Sequence, residues 1–155
     1  EVFGEEILGP DGSLNREALG ERIFSNAEAR QRLNRITHPA IAELSTRRLS
    51  QLKEQKDLPL IVYEAPLLFE AGAEKRVDRV LVVTVDPQIQ LQRLMARDHC
   101  DAASAERKIA AQMPQAEKIA RADYLLDNST TLDAIRRQVE QLWAELTSAN
   151  QDVEL

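Results

Sequence analysis

The chain has 155 residues, of which 43% are hydrophobic and 30% charged, and its formal net charge is −6. A chain of this length suits one domain, or one domain with an inserted subdomain, and the acidic balance argues against nucleic acid as a partner because phosphate backbones bind basic surfaces. No apolar run approaches the roughly 18 residues of a membrane span, and one cysteine permits no internal disulfide, so we expect a cytoplasmic protein without membrane attachment.

The first third of the chain predicts helices. Asparagine is a suitable N-cap at Asn15 and Asn26, and Pro39 suits the first turn of a helix while disfavouring helix in the residue before it. The predicted helices span residues 15–25, 26–38 and 39–57. Residues 2–8 are typical of the end of a helix that begins earlier, and the first residue is not methionine, so we expect a fragment of a longer protein.

The rest of the chain alternates strands and helices. Short apolar runs rich in β-branched residues predict strands, and apolar residues three or four apart predict helices. The predicted strands are Leu60–Glu64, Arg79–Val85 and Tyr124–Leu126, and helices are expected from Pro87, over Asp101–Arg121 and after a cap at Thr130. Such alternation implies right-handed crossovers and a parallel sheet, so the predicted fold class is α/β.

Acidic residues close two of the predicted strands. Glu64 ends the first and Asp86 follows the second, and open α/β sheets bind ligands at the carboxyl ends of their strands. Glu64 is therefore a candidate ligand of Mg²⁺ or of its bound water. Capping of the following segment is an equally good interpretation.

The turn Pro66–Glu70 is apolar where the chain leaves the first predicted strand. Leu67 and Leu68 either line a substrate pocket or cover the core, which is the commoner fate of such residues. Glu70 either accepts a hydrogen bond from a ligand hydroxyl or stays in water. His38 has no histidine or cysteine at metal-ligand spacing, so we expect no metal site there, and it either fixes a helix junction or faces a pocket.

Arg93 and Arg97 are four residues apart on one predicted helix, so their guanidinium groups can reach the same side. From Arg93 to Arg121 the chain has six Lys and Arg against four Asp and Glu, a local reversal of its acidic balance. Such a segment suits the charge of a transferring phosphoryl group. The simpler interpretation is a solvated helical hairpin with surface ion pairs.

A Gly-rich phosphate loop of the form GxxxxGK[ST] is absent from the 155 residues. Nothing in the sequence supports a Ser-His-Asp or Cys-His nucleophile. If this sheet binds a nucleotide phosphate, the residues that would form the phosphate loop are not in this sequence.

Several short motifs, taken together and in order, resemble the dephospho-CoA kinase family. The motifs are Leu14-Asn15-Arg16, Ile36-Thr37-His38-Pro39, Pro66-Leu67-Leu68-Phe69-Glu70, Gln90 with Arg93 and Arg97, Gln112 with Lys118, Ala122-Asp123 and Asp127-Asn128-Ser129. The resemblance extends from about Phe3 to the last predicted helix.

The resemblance implies a P-loop kinase fold, a three-layer parallel sheet here lacking N-terminal strands, with a helical CoA-binding subdomain over residues 13–57 and a lid over 98–121. It implies transfer of phosphate from ATP, with Mg²⁺, to the ribose 3′-hydroxyl of dephospho-CoA, the last step of CoA synthesis. Glu64 stands where many members have aspartate.

The implied site residues fall into three groups. Catalysis is assigned to Arg97 and Glu64, and the nucleotide contacts to Arg93, Arg97 and Asn128. The acceptor is assigned to Arg16, His38, Leu67, Leu68 and Glu70.

Two other functions compete with this one. The first is a catalytically silent fragment that binds dephospho-CoA or self-associates through an uncovered sheet, because an unpaired strand edge promotes association. The second is a nucleoside or nucleotide kinase of the same fold.

Overall fold

The structure is a computed structural model that describes residues 2–149. Its contacts group into two compact units, Glu1–Glu43 and Leu44–Leu155. Among the described residues, no helix is long and apolar enough to cross a lipid bilayer.

The first unit has a small core in which Phe3, Leu19 and Ala29 are buried. Helix α1 (Arg16–Ser25) begins as predicted, since Asn15 Oδ1 accepts the Ala18 N–H at 3.1 Å. Residues 2–8 contain a 3-10 turn at Glu5–Ile7, and the predicted helix end there is wrong. Gly4 has a φ of 74°, which a right-handed helix does not accommodate.

Helix α2 (Ala27–Lys53) replaces the two helices predicted over 26–57. Its predicted cap is confirmed, because Asn26 Oδ1 accepts the N–H groups of Glu28 and Ala29 at 2.9 and 3.0 Å. The predicted break at Pro39 is wrong. A proline inside a helix removes one backbone hydrogen bond at a cost of about 3 kcal/mol, and the helix continues on both sides of it.

The second unit contains a parallel pair of strands, β1 (Leu81–Thr84) and β2 (Tyr124–Asp127), in a register that opposes Leu81 to Tyr124 and Thr84 to Asp127. Both were predicted, with β1 shorter than expected. Val80 and Val82 are buried with Phe69 in the core of this unit.

The strand predicted over Leu60–Glu64 is wrong. These residues form neither a helix nor a strand, and Val62 is 79% exposed instead of buried. A strand exists only where a second strand supplies ladder hydrogen bonds. Within residues 2–149 the sheet has two strands, β1 and β2, so the three-layer architecture expected from the sequence is present only in part.

The helices of the second unit follow the predicted order. They are α3 (Pro87–Asp98), α4 (Ala102–Ala110), α5 (Gln115–Ile119) and α6 (Leu132–Ala149). The stretch Asp101–Arg121, predicted as one helical region, divides before Pro114. The predicted cap of the last helix is displaced by one residue, because Thr131 Oγ1 rather than Thr130 accepts the Ala134 N–H, at 3.3 Å.

Asp123 closes the amino end of the strand pair, and its side chain gives the first prediction. Asp123 Oδ2 accepts the N–H of Val80, a buried residue, at 2.7 Å. Asp123→Ala leaves this donor without its acceptor, so we expect a loss of about 1–3 kcal/mol in the free energy of unfolding. Urea unfolding followed by circular dichroism measures it.

Asp123→Asn is the matched control, because the amide oxygen remains an acceptor for Val80. We expect it to retain most of the stability that Asp123→Ala loses. Equal urea midpoints for the alanine variant and the unchanged chain would contradict this role of Asp123.

Candidate active site

The carboxyl ends of β1 and β2 lie side by side and are joined by hydrogen bonds. The Asn128 N–H donates to the Thr84 carbonyl, and the Asp86 N–H donates to Ser129 Oγ, both at 2.8 Å. Hydrogen bonds from the hydroxyl and N–H of Ser129 lower the pKa of Asp127. This is the edge at which open α/β sheets bind ligands.

Helix α3 carries Arg93 to this edge. Asp86 Oδ1 caps the helix by accepting the N–H groups of Gln88 and Ile89 at 2.8 and 3.2 Å. Further along, Arg93 Nη1 donates to the Asn128 carbonyl at 2.7 Å. The structure therefore brings together Arg93 and Asn128, two residues predicted from sequence to bind nucleotide.

Two glutamine side chains occupy the outer edges of the strands. Gln115 in α5 accepts the Val85 N–H at 3.0 Å and donates to the Val85 carbonyl at 3.1 Å. Gln138 in α6 makes the same two bonds with Asp127, at 2.9 and 3.0 Å. Alternate residues of a parallel strand face the same neighbour, and Thr84 faces β2, so Val85 faces the opposite edge.

Arg97 lies one helical turn beyond Arg93 and makes a different contact. Its Nε donates to Asp98 Oδ1 at 2.7 Å, and its side chain is 74% exposed. The ion pair with Asp98 raises the pKa of Arg97. In this structure Arg97 points to Asp98 and solvent, and no contact described for it reaches Glu64 or the strand ends.

Asp98 lies between two cations. Its Oδ2 accepts a hydrogen bond from Lys108 Nζ at 2.6 Å, so that Arg97 and Lys108 each bind one carboxylate oxygen. Hydrogen bonds from Arg97 and Lys108 lower the pKa of Asp98 to about 2. Asp98 and Lys108 thus join the end of α3 to α4.

Glu70 is held within the protein. Its Oε1 accepts the Met113 N–H at 2.7 Å and lies 3.7 Å from Lys118 Nζ, which also donates to Gln112 Oε1 at 3.2 Å. Its Oε2 is buried and has no hydrogen-bond partner. The Glu70 side chain is therefore not free in water. It links the turn after Pro66 to the segment before α5.

The two leucines of this turn have different surroundings. Leu68 is partly buried and packs against the core formed by Phe69, Val80 and Val82, which agrees with the core-covering interpretation. Leu67 is 37% exposed. Of the two, Leu67 is the one with surface available to a ligand.

Comparison with known proteins identifies the family. The family model for dephospho-CoA kinase matches residues 1–134. A dephospho-CoA kinase from Syntrophotalea carbinolica is 53% identical over 144 residues, which are 93% of this chain and 68% of that protein, and one from Geobacter sulfurreducens is 49% identical over 93% of this chain and 73% of that protein. The chain belongs to the dephospho-CoA kinase family.

Solved structures give the same result. A Thermus thermophilus protein matches 94% of this chain and 73% of its own, with a TM-score of 0.71 and 34% identity. A dephospho-CoA kinase from Campylobacter jejuni matches 93% of this chain and 71% of its own, with a TM-score of 0.62 and 27% identity. The α/β kinase-like fold predicted from sequence is confirmed at this level.

Two residues predicted for the acceptor site of a dephospho-CoA kinase belong to the first unit. Arg16 is the first residue of α1 and is exposed, and His38 lies inside α2 and is partly buried. The interpretation of His38 as a junction between two helices is wrong, because α2 is continuous at that point.

Glu64 is exposed and follows residues that form no strand. In residues 2–149 there is no group of three or more His, Cys, Asp or Glu side chains placed to hold a metal ion. The described residues thus contain no preformed cage for a metal ion.

Sequence reasoning missed the side chains that complete this region, namely Asp98, Lys108, Gln115 and Gln138. Gln138 could have been identified from the sequence, because it is a polar residue between Ile135 and Leu142 on the apolar side of α6. Lys108 could not have been identified in this way, because its contact with Asp98 depends on the turn between two helices.

The geometry around Asp98 predicts its titration. We expect its carboxyl group to titrate at a pKa of about 2, below the ordinary value of 3.8. Because the folded state has the lower pKa, the ionised contact stabilises the fold fully above about pH 4, and this contribution disappears as the pH falls through about 2. The carboxyl carbon shift of Asp98, followed by NMR against pH, measures it.

Two variants separate the causes. Lys108→Met and Arg97→Met should each raise the pKa of Asp98 towards 3.8, because each removes one of its two charged hydrogen-bond donors. A titration midpoint of Asp98 near 3.8 in the unchanged chain would contradict the observed cluster.

Proposed function

We propose that this protein transfers the γ-phosphoryl group of ATP to the ribose 3′-hydroxyl of dephospho-CoA, which gives CoA and ADP. The observation that carries the proposal is the hydrogen bond from Arg93 to the Asn128 carbonyl at the carboxyl ends of β1 and β2, in a chain of the dephospho-CoA kinase family. A fixed arginine at this edge suits a nucleotide phosphate or base.

The reaction needs positioning and charge more than covalent help from the protein. The 3′-oxygen forms a bond to the γ-phosphorus while the bond from that phosphorus to the bridging β-phosphate oxygen breaks, ADP leaves with that electron pair, and the hydroxyl proton passes to solvent water. Negative charge on the equatorial oxygens must be met by donors held in place. We assign this role to Arg97, with Arg93 and Asn128 holding the nucleotide.

We assign the acceptor to two regions of the chain. Residues 13–57 form the CoA-binding subdomain, with Arg16 and His38 as contacts. We assign Leu67, Leu68 and Glu70 to the acceptor side of the second unit, with Leu67 as the exposed contact and Leu68 packed behind it against the core. The exposure of Leu67 supports a ligand at this turn.

We propose that residues 98–121 act as a lid whose two helices differ in freedom. Helix α5 is anchored, since Gln115 pairs with Val85, and Arg121 binds Glu74 and lies 4.3 Å from the centre of the Phe69 ring. Helix α4 is joined to α3 through Lys108 and Asp98. The moving part in this proposal is therefore α4 with the end of α3, which carries Arg97.

Mg²⁺ belongs to the proposal as an ion that arrives with ATP. It would neutralise charge on the β and γ oxygens, and Glu64 is the carboxylate offered to it or to its water.

The reaction is tested directly by incubating the full chain with ATP, Mg²⁺ and dephospho-CoA. We expect CoA and ADP in equal amounts, with the new phosphate on the 3′-oxygen by ³¹P NMR. Phosphorylation of a nucleoside in place of dephospho-CoA would overturn the assignment of substrate. Binding of dephospho-CoA without turnover would favour a silent protein.

The role of Arg97 gives a sharper prediction. Arg97→Ala removes the donors assigned to the transferring group, so we expect kcat to fall by about 10²-fold or more with the fold intact. Arg97→Lys should recover only part of the loss, because it restores the charge without the planar fork. Steady-state kinetics with both substrates and a thermal unfolding curve measure these effects.

Arg136→Ala is the matched control, since Arg136 is an arginine on α6 that is 72% exposed and lies 4.0 Å from Asp133. Its kcat should equal that of the unchanged chain. If Arg97→Ala behaves like Arg136→Ala, Arg97 has no part in the reaction.

A further inference from the structure

The carboxylate of Asp98 binds two cations that differ in exposure. Arg97 Nε lies 2.7 Å from Oδ1, and Lys108 Nζ lies 2.6 Å from Oδ2. The side chains of Asp98 and Lys108 are 22% and 29% exposed, whereas that of Arg97 is 74% exposed. The acid is thus the sheltered centre of the cluster, and the arginine is its outer member.

The turn between α3 and α4 explains why these residues meet. His99 takes a left-handed conformation with φ 49°, which ends α3, and the Cys100 N–H donates to the Met95 carbonyl at 3.3 Å. Asp101 then caps α4 by accepting the Ser104 N–H at 2.7 Å. Because the chain reverses within three residues, Lys108 in α4 lies beside the last residue of α3.

The contact uses one donor of Arg97 and leaves the others. Nε is bound by Asp98, and no hydrogen bond within the described residues occupies the two Nη nitrogens, so their four N–H groups remain available to an anion. Lys108 shares the charge of Asp98, and the three residues together carry one net positive charge. A long, exposed arginine would otherwise lose much side-chain freedom when it binds an anion.

We propose that Asp98 is a positioning residue that holds Arg97 by its Nε and presents the two Nη groups to the phosphates of the bound nucleotide. This rests on the proposed role of Arg97. Asp98 keeps its charge through the physiological pH range, since its pKa is about 2.

The test is a double-substitution cycle in the full chain. Asp98→Asn keeps the shape of the side chain and removes its charge. We expect kcat/KM for ATP to fall about 10-fold in a variant that is still folded at the assay temperature, and Asp98→Glu to recover part of the loss. In the Arg97→Ala background, Asp98→Asn should have no further effect, because a residue that acts through Arg97 has nothing left to position.

A spectroscopic readout makes the test independent of turnover. The ¹⁵N–¹H signal of Arg97 Nε should be sharp and protected from exchange in the unchanged chain and should broaden in Asp98→Asn. Lys108→Met removes the second cation and should give a smaller kinetic loss than Asp98→Asn.

Three results would overturn the proposal. The first is an Asp98→Asn variant with the kinetics of the unchanged chain, and the second is the same loss from Asp98→Asn whether or not Arg97 is present. The third is Arg97→Ala with undiminished kcat, which also removes the proposed role of Arg97 and so differs from the first two.

Discussion

A parallel pair of four-residue strands has too few ladder hydrogen bonds to position a site by itself, and in this protein side chains supply the rest. Asp123 binds the Val80 N–H at one end of the pair. At the other end Gln115 and Gln138 each make two hydrogen bonds to the backbone of a strand's outer edge. The amide group of glutamine suits this place because it carries a donor and an acceptor, as a peptide unit does.

The positions of Arg93 and Asn128 depend on these hydrogen bonds at the ends of the strands. Gln115 is the first residue of α5, so the contact that completes β1 also anchors the carboxyl half of the proposed lid. The strand ends in turn fix Asp86, whose side chain caps α3 and sets the direction in which that helix leaves the sheet. From this helix Arg93 reaches the Asn128 carbonyl, at 2.7 Å. The hydrogen bonds at the strand ends thus fix the start of the helix that carries both arginines.

The sequence predicted much of this where the signal was local. The caps Asn15 and Asn26 lie where short-range rules place them, and the apolar runs of β1 and β2 are strands. The expectation failed where the outcome depends on distant partners. Residues 60–64 have the composition of a strand but no ladder, and α2 continues through Pro39 because the helical residues on both sides outweigh one lost hydrogen bond. The family resemblance named Arg93 and Asn128 but could not show that one binds the carbonyl of the other.

The charge of the α3–α4 hairpin has a physical explanation in the same terms. A cluster of cations on an acidic protein attracts anions from a distance, yet flexible cations bind them with little selectivity and at a high entropic cost. A carboxylate among the cations reduces the net charge and so weakens the attraction for phosphate. Asp98 takes up the Nε donor of Arg97 and leaves the N–H groups of both Nη nitrogens for a two-point contact. The loss of attraction is offset by orientation, and Lys108 limits the loss by sharing the same carboxylate.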